Sequence, residues 1–344
     1  VIASLVALVI LAAGGAATVW RARRRARTAE AQWPPEGKRV TVGGVPLHVV
    51  SKGAGPHVVL IHGSSGSVRD FTFGLMERLA ERYTVLAIDR PGHGWSEAGI
   101  DSDRLETQAR MVREAAASIG AVRPIVVGHS YGAAVALRWA IDAPDTVAGV
   151  VAVAGVSQPW DTGLPLFYRI TSHPLLRHVA NPLIAAWVPL SIIERSVRSV
   201  FHPDAVPYGY VSHFGPAMSA RTSTLIENAR QRRHLLREVQ AMVPHYADIR
   251  RPVEIIHGQA DATVGVDHHA GPLQDDLPAA TLTVLPGVGH MPHHAEPDAV
   301  IAAVDRIAAR DAMSFLPVAT EHGPRPGPSP GRRTDGDTDS PTDR

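Results

Sequence analysis

The chain has 344 residues, 45% of them hydrophobic and 19% charged, with a formal net charge of +1. This is ordinary globular composition, enough for one large domain or two modest ones, and the near-neutral balance leaves no electrostatic footprint for nucleic acid. Cysteine is absent, so disulfides, thiolate metal sites and cysteine nucleophiles are excluded, while the redox compartment stays open.

The first 20 residues, VIASLVALVILAAGGAATVW, carry no charged side chain. At 1.5 Å per helical residue they span roughly 30 Å, the thickness of a bilayer's hydrocarbon core. The next seven, RARRRAR, hold five arginines. Positive charge after an apolar span favours keeping that flank in the cytoplasm. The expectation is a single-pass membrane protein with an anchor over 1–20, a basic juxtamembrane linker over 21–36 and a cytoplasmic body. Export after cleavage of a signal peptide is the competing reading, and it requires a basic stretch ahead of the apolar one. A buried core helix would need protein on every side.

From residue 37 the pattern alternates. KRVTVGGVPLHVV reads as two short strands around Gly43-Gly44, a hairpin signal. Apolar runs follow at 57–63, 83–89, 124–130, 147–155, 252–258 and 280–287. They are rich in Val, Ile and Leu without strict alternation, as strands buried on both faces should be. Helical stretches lie between several of them, at 71–82, 104–119, 132–143 and 297–310. Strand and helix in alternation predict an α/β fold with a mostly parallel central sheet and helices on both faces. The segment 158–248 interrupts the rhythm: it is rich in Pro, His, Arg and aromatics and reads as several short helices. It is taken as a helical lid that divides a core into 37–157 and 249–312. From 313 to 344 the chain is dominated by Pro, Gly, Asp, Arg and Thr and is expected to be disordered.

In a parallel α/β sheet, ligands bind outside the carboxyl ends of the strands. Five of the apolar runs end in glycine and polar residues: His62-Gly63-Ser64-Ser65-Gly66, Asp89-Arg90-Pro91-Gly92-His93-Gly94, Gly128-His129-Ser130-Tyr131-Gly132, His257-Gly258-Gln259-Ala260-Asp261 and Gly287-Val288-Gly289-His290. The third has the Gly-x-Ser-x-Gly pattern between a strand and a helix, which is a nucleophile elbow. Its glycines remove bulk where strand and helix crowd the turn, and the turn lifts the Ser130 hydroxyl above the sheet. A serine needs a base, and the base needs an orienting carboxylate, in the chain order Ser, Asp/Glu, His. Asp261 and His290 fit that order, each just after a late strand.

Ser130 is therefore assigned as nucleophile, His290 as general base and then acid, and Asp261 as the orienting carboxylate. His293 and His294 are rivals for His290 but start the next helix. Asp267 and Asp161 are rivals for Asp261. Asp89 is read as structural, bonding N–H groups of its own turn. The oxyanion hole is assigned to the backbone N–H groups of Tyr131 and Ser64. The histidine-rich stretches VDHHAG and GHMPHHAEP lack the His-Glu-x-x-His spacing of a zinc helix, so neither a metal nor another cofactor is expected.

Taken together, HGSSGS, DRPGHGWS, GHSYG, GQAD and GHMPHHAEP resemble the oxyanion loop, the loop after the fourth core strand, the elbow, the acid turn and the histidine loop of the α/β-hydrolase superfamily. The resemblance covers about 37–310 and is similar to the branch of epoxide hydrolases, haloperoxidases and esterases with a helical lid. Ser130 stands where epoxide hydrolases and haloalkane dehalogenases use Asp, so the resemblance implies serine hydrolysis. A small to medium hydrophobic carboxylester is the expected substrate. Lactones, amides and the carbon–carbon bonds of diketones are alternatives, as is a non-catalytic binding protein of the same fold.

Overall fold

The computed structural model describes residues 1–314. The tail expected to be disordered from 313 lies, past Ser314, outside the described residues. The chain opens with helix α1 (Ile2–Gln32), followed by the hairpin β1 (Lys38–Val42) and β2 (Val45–Lys52). Gly43 and Gly44 make the turn at positive φ, which other residues adopt only with strain. Next come β3 (His57–Ile61), α2 (Arg69–Thr72), α3 (Leu75–Leu79), β4 (Thr84–Ile88), α4 (Leu105–Ser118), β5 (Ile125–His129), α5 (Tyr131–Asp142) and β6 (Gly149–Val153). A run of helices then intervenes: α6 (Leu166–Thr171), α7 (Arg177–Trp187), α8 (Leu190–Ser199), α9 (Tyr210–Phe214), α10 (Pro216–Ser219) and α11 (Thr222–Met242). The chain returns to the sheet with β7 (Val253–Gly258), α12 (Val266–Asp276), β8 (Ala280–Leu285), α13 (Pro292–Ala295) and α14 (Pro297–Ser314).

The eight strands form one sheet in the order β1-β2-β4-β3-β5-β6-β7-β8. β1 and β2 are antiparallel to their neighbours, and β3 to β8 run parallel. Each parallel strand needs a crossover, and the helices supplying those crossovers cover both faces. The strands show the consequence residue by residue. Val59 and Ile61 of β3 pack in one core with Leu105 and Val112 of α4 and Val135 of α5. Val58 and Leu60 pack in the other with Leu75 and Leu79 of α3 and Val304 and Ile307 of α14. Burial on both faces accounts for the unbroken apolar runs of β3 to β7; β8, whose run reads the same way, is an edge strand and only partly buried. The single helix expected over 71–82 is instead two short ones, α2 and α3, separated at Gly74, the residue least able to sustain a helix apart from proline.

The expected change at residue 21, from anchor to linker, is not a break in the backbone: α1 runs unbroken through the arginines. Its second half is docked on the helices between β6 and β7. Arg21 Nε donates to the carbonyl of Ala186 at 2.7 Å, and Arg25 donates to the carbonyls of Ala186 and Val188 at 3.0 and 2.9 Å. These carbonyls belong to the end of α7, where the helix itself supplies no donor. Trp187 Nε1 donates to Thr18 Oγ1 at 3.1 Å, and Trp33 Nε1 to the carbonyl of Ser212 at 2.8 Å. The first half of α1 projects with Ile2, Leu5, Leu8 and Leu11 exposed. An apolar stripe of Leu176, Val179, Leu183 and Trp187, 46% to 61% exposed, runs along α7 to this junction.

Candidate active site

β5 ends at His129, and Ser130 turns the chain into α5 with φ 53° and ψ −115°, a strained conformation for a residue with a side chain. The two flanking glycines make the turn feasible. A Cβ on Gly128 would lie 2.3 Å from the carbonyl oxygen of Gly132, and a Cβ on Gly132 would lie 2.1 Å from that of Ile61. The Ser130 hydroxyl thereby stands over the carboxyl edge of the sheet.

Ser130, Asp261 and His290 are brought together from three loops at that edge. Ser130 Oγ lies 3.1 Å from His290 Nε2, and His290 Nδ1 lies 2.7 Å from Asp261 Oδ2. With the Nδ1 proton donated to the carboxylate, Nε2 is free to accept the hydroxyl proton. Asp261 Oδ1 accepts the backbone N–H groups of Thr263 and Val264 at 2.8 and 2.9 Å. Burial alone would raise the Asp261 pKa, but hydrogen bonds from His257 and His290 prevail and hold it far below the usual carboxylate range. His257 Nε2 is 3.4 Å from Asp261 Oδ2 and 2.7 Å from the carbonyl of Val264. The rivals stand elsewhere: Asp267 is in the first turn of α12, and His293 and His294 lie in α13.

The loop after β3 borders the serine. A Cβ on Gly63 would approach Ser130 Cβ to 3.2 Å, a tight contact that glycine avoids. Ser64, Ser65 and Gly66 follow it along the same cavity wall as Ser130. The N–H of Ser65 donates to Asn228 Oδ1 of α11 at 3.0 Å. Tyr131 is the first residue of α5, where backbone N–H groups have no intrahelical acceptor.

The buried guanidinium of Arg90 fixes the same loop from behind. It donates to the carbonyls of His62 and Gly63, both at 2.9 Å, and to the side-chain oxygens of Gln108 and Gln231 at 2.7 and 2.5 Å. It also lies 4.4 Å over the Tyr131 ring. Burial lowers its pKa to about 10, so it stays charged at neutral pH. The motif DRPGHGWS reads as a tight turn in sequence, and this role is invisible there. Asp89 of the same motif is structural: it accepts the N–H groups of Val68 at 2.7 Å and Trp95 at 2.9 Å, and faces His48 Nδ1 at 2.8 Å.

A second polar cluster adjoins the serine; the sequence marks its histidines, in GHSYG and GHMPHHAEP, but not the acid that gathers them, Asp70. Asp70 accepts hydrogen bonds from Tyr210 at 2.7 Å, His294 at 2.9 Å and His293 at 3.2 Å. Burial opposes ionisation of Asp70, but the charge and hydrogen bonds of His293 and His294 keep it well below its ordinary pKa. His129 donates from Nε2 to the carbonyl of His290 at 2.9 Å, and its Nδ1 faces Asp70 at 3.8 Å without a partner. Among the described residues, Asp70, His129 and His293 are the group whose atoms could hold a metal, all within 4.8 Å of one another. The hydrogen bonds just given already occupy the carboxylate.

Above these groups lies a cavity of about 840 Å³. The sheet side contributes Ser64, Ser130, His290 and Met291, and the segment between β6 and β7 contributes Trp160, Phe167, Tyr168, Ile184, Ile192 and Phe214. The walls are mostly apolar with a few polar groups among them, as in sites for small molecules.

A family model of the α/β hydrolase fold matches residues 56–297. The chain is an α/β-hydrolase. It is 28% identical to a 2-(acetamidomethylene)succinate hydrolase of Mesorhizobium japonicum, over 78% of this chain and 93% of the relative. It is 25% identical to a pimeloyl-[acyl-carrier protein] methyl ester esterase of Nitrosomonas europaea, over 76% of this chain and 99% of that one. Among solved structures, a membrane phospholipase A aligns at a TM-score of 0.62 and 20% identity, covering 91% of this chain and 99% of its own. The 2-hydroxy-6-oxo-6-phenylhexa-2,4-dienoate hydrolase of Rhodococcus sp. strain RHA1 aligns at 0.64 and 20% identity, covering 79% and 98%. The structural likenesses show the shared fold. With hydrolases and esterases among its relatives, this α/β-hydrolase is an enzyme.

Proposed function

We propose that this α/β-hydrolase is a serine hydrolase, tethered to a membrane by α1, that cleaves small to medium hydrophobic carboxylic esters through an acyl-enzyme on Ser130. The observation that carries the reading is the hydrogen-bonded chain Ser130 Oγ to His290 Nε2 to Asp261 Oδ2, at 3.1 and 2.7 Å, below an apolar cavity. Ser130 attacks the ester carbonyl while His290 takes its proton, and the charged imidazolium rests against Asp261. The N–H groups of Ser64 and Tyr131 receive the oxyanion. His290 returns the proton to the departing alcohol. Water, deprotonated by the same imidazole, then releases the acid and restores the serine.

The helices between β6 and β7 act in this reading as a lid over 158–248, supported by their share of the cavity wall. Membrane attachment is supported by the length and apolar character of α1 and by the exposed apolar stripe of α7 beside it. A retained helix, rather than a cleaved signal, is supported by its docking through Arg21 and Arg25. The arginines after the apolar stretch favour a cytoplasmic body.

The test is hydrolysis of p-nitrophenyl esters, from acetate to long acyl chains, by the full chain in detergent and by Ser130→Ala. Activity lost by roughly four to six orders of magnitude in the variant supports the mechanism. Full activity in the variant sinks it. Labelling of Ser130 by a fluorophosphonate without ester turnover points to a narrower carbonyl substrate, and absence of both points to a binding protein. Recovery of the uncleaved chain in the supernatant of a detergent-free membrane spin rules out the tether.

A further inference from the structure

The face of α11 that meets the cavity carries Leu225, Asn228 and Arg232. Of its other arginines, Arg237 is exposed to solvent and two are engaged. Arg230 pairs with Asp103 and Glu227 at 3.2 and 2.9 Å, and Arg233 donates to the carbonyl of Ser172. Arg232 differs. It lines the cavity half-buried, its Nε is fully buried without a hydrogen-bond partner, and among the described residues it has no ion pair. Its contact is with the Tyr168 ring, whose centroid lies 5.2 Å from the guanidinium carbon. A guanidinium on a mostly apolar wall carries a desolvation cost that a carboxylate or phosphate would offset with two parallel hydrogen bonds. Its place is also informative. Asn228, one helical turn before it, holds the loop of Ser64 and Ser65. The backbone positions of the two residues are therefore about 6 Å apart along the helix.

We infer that Arg232 is a specificity-determining residue, and that the ester cleaved at Ser130 carries an oxyanion, carboxylate or phosphate, against the part of the cavity wall formed by Tyr168 and α11. The inference rests on the hydrolase reading above for the reaction, but not for the binding. Arg232 touches no reacting atom and takes no part in the proton transfers. It selects among esters, while the apolar walls accept the remainder of the molecule.

The full chain in detergent is assayed with a neutral ester (4-nitrophenyl butyrate), a carboxylate ester (mono-4-nitrophenyl succinate) and a phosphate ester (1-butyryl glycerol 3-phosphate), beside Arg232→Gln and Arg232→Lys. The expected result is a KM about tenfold or more higher in Arg232→Gln for one or both anionic esters. The neutral ester should be unchanged and the lysine variant partly restored. Which anionic ester responds tells carboxylate from phosphate. Equal effects on all three esters, or none on any, overturn the inference. Calorimetric binding of hexanoate, hexyl phosphate and hexanol to the same proteins needs no turnover. Tighter binding of an anion that is lost in Arg232→Gln upholds the inference even if every ester is refused, in which case the hydrolase reading alone fails. Equal binding of all three ligands overturns it.

Discussion

Arg90 donates through its terminal nitrogen to the carbonyl oxygen of Gly63 at 2.9 Å, so a buried charge stands behind the loop that borders Ser130. With Nε on the carbonyl of His62, the side chain turns two consecutive carbonyls away from the serine. Lysine keeps the charge but lacks the planar fork, and reaches one or two of the four acceptors. Arg90→Lys should lower stability by at least about 3 kcal/mol, because several buried acceptors lose their donor. It should also slow acylation more than it weakens substrate binding. Urea unfolding and a kcat-against-KM comparison check both. A variant as stable and as fast as the parent would mean that the loop holds itself.

Asp261→Asn should cost roughly four orders of magnitude in turnover while the fold persists. The reason lies in Oδ1. Because Thr263 and Val264 donate to that atom, an asparagine must place its oxygen there and point its NH2 at His290. The imidazole then accepts at Nδ1 and carries its proton on Nε2, where it can no longer take one from Ser130. Circular dichroism should match the parent and fluorophosphonate labelling should slow in parallel. Loss of less than tenfold would show that His290 does not depend on this carboxylate.

The legibility of this molecule in its sequence follows the kind of interaction involved. β3 to β6 are readable because burial on both faces demands unbroken Val, Ile and Leu, as Val58 to Ile61 show. The residues at the sheet edge are readable because a strained turn needs Gly128 and Gly132, and those glycines frame Ser130. Asp70, Arg90 and Arg232 are not. Their partners come from distant elements: Asp70 meets Tyr210, His293 and His294, and Arg90 meets Gln231. No local spacing records such meetings. The run RQRRHLLR in α11 hides, for the same reason, which of its arginines lines the cavity. The docking of Arg21 and Arg25 on the end of α7 is equally silent, since an arginine run after an apolar span has a sufficient explanation in membrane charge alone.

Acid should destabilise this protein well above the carboxylate range. Burial is the largest cause that lowers the pKa of His93 to about 3 and of His269 to about 4, and it also depresses His62 and His129. In the unfolded chain a histidine titrates near 6.5. Below that pH the unfolded state takes up protons that the native state refuses. The stability these neutral rings contribute is complete above about pH 6.5 and is lost as pH falls towards their native values. Asp261 and Asp70, held low, add a further loss below about pH 4. Each histidine contributes a slope of about 1.4 kcal/mol per pH unit in that window. Urea midpoints measured from pH 8 to pH 4.5 should decline from about 6.5 downward, less steeply in His93→Gln. A flat profile to pH 5 would contradict the neutral buried rings.

Glycine-to-alanine changes separate the turn at Ser130 from the rest of the fold. At Gly132 the new Cβ would meet the Ile61 carbonyl oxygen at 2.1 Å, and at Gly128 the Gly132 carbonyl oxygen at 2.3 Å. Both obstacles are backbone, so α5 must move away from β3 and β5 and carry Ser130 with it. Each change should cost about 1–3 kcal/mol or more, and the displaced hydroxyl should lose its 3.1 Å contact with His290 and with it most of the activity. Gly271, inside α12, has nothing within 4 Å of a Cβ position. Gly271→Ala should therefore raise stability by up to about 1 kcal/mol through helix propensity and leave turnover alone. Thermal unfolding and ester hydrolysis of the three variants side by side decide the matter. If Gly128→Ala and Gly132→Ala behave like Gly271→Ala, close backbone packing is not what shapes the turn that presents Ser130.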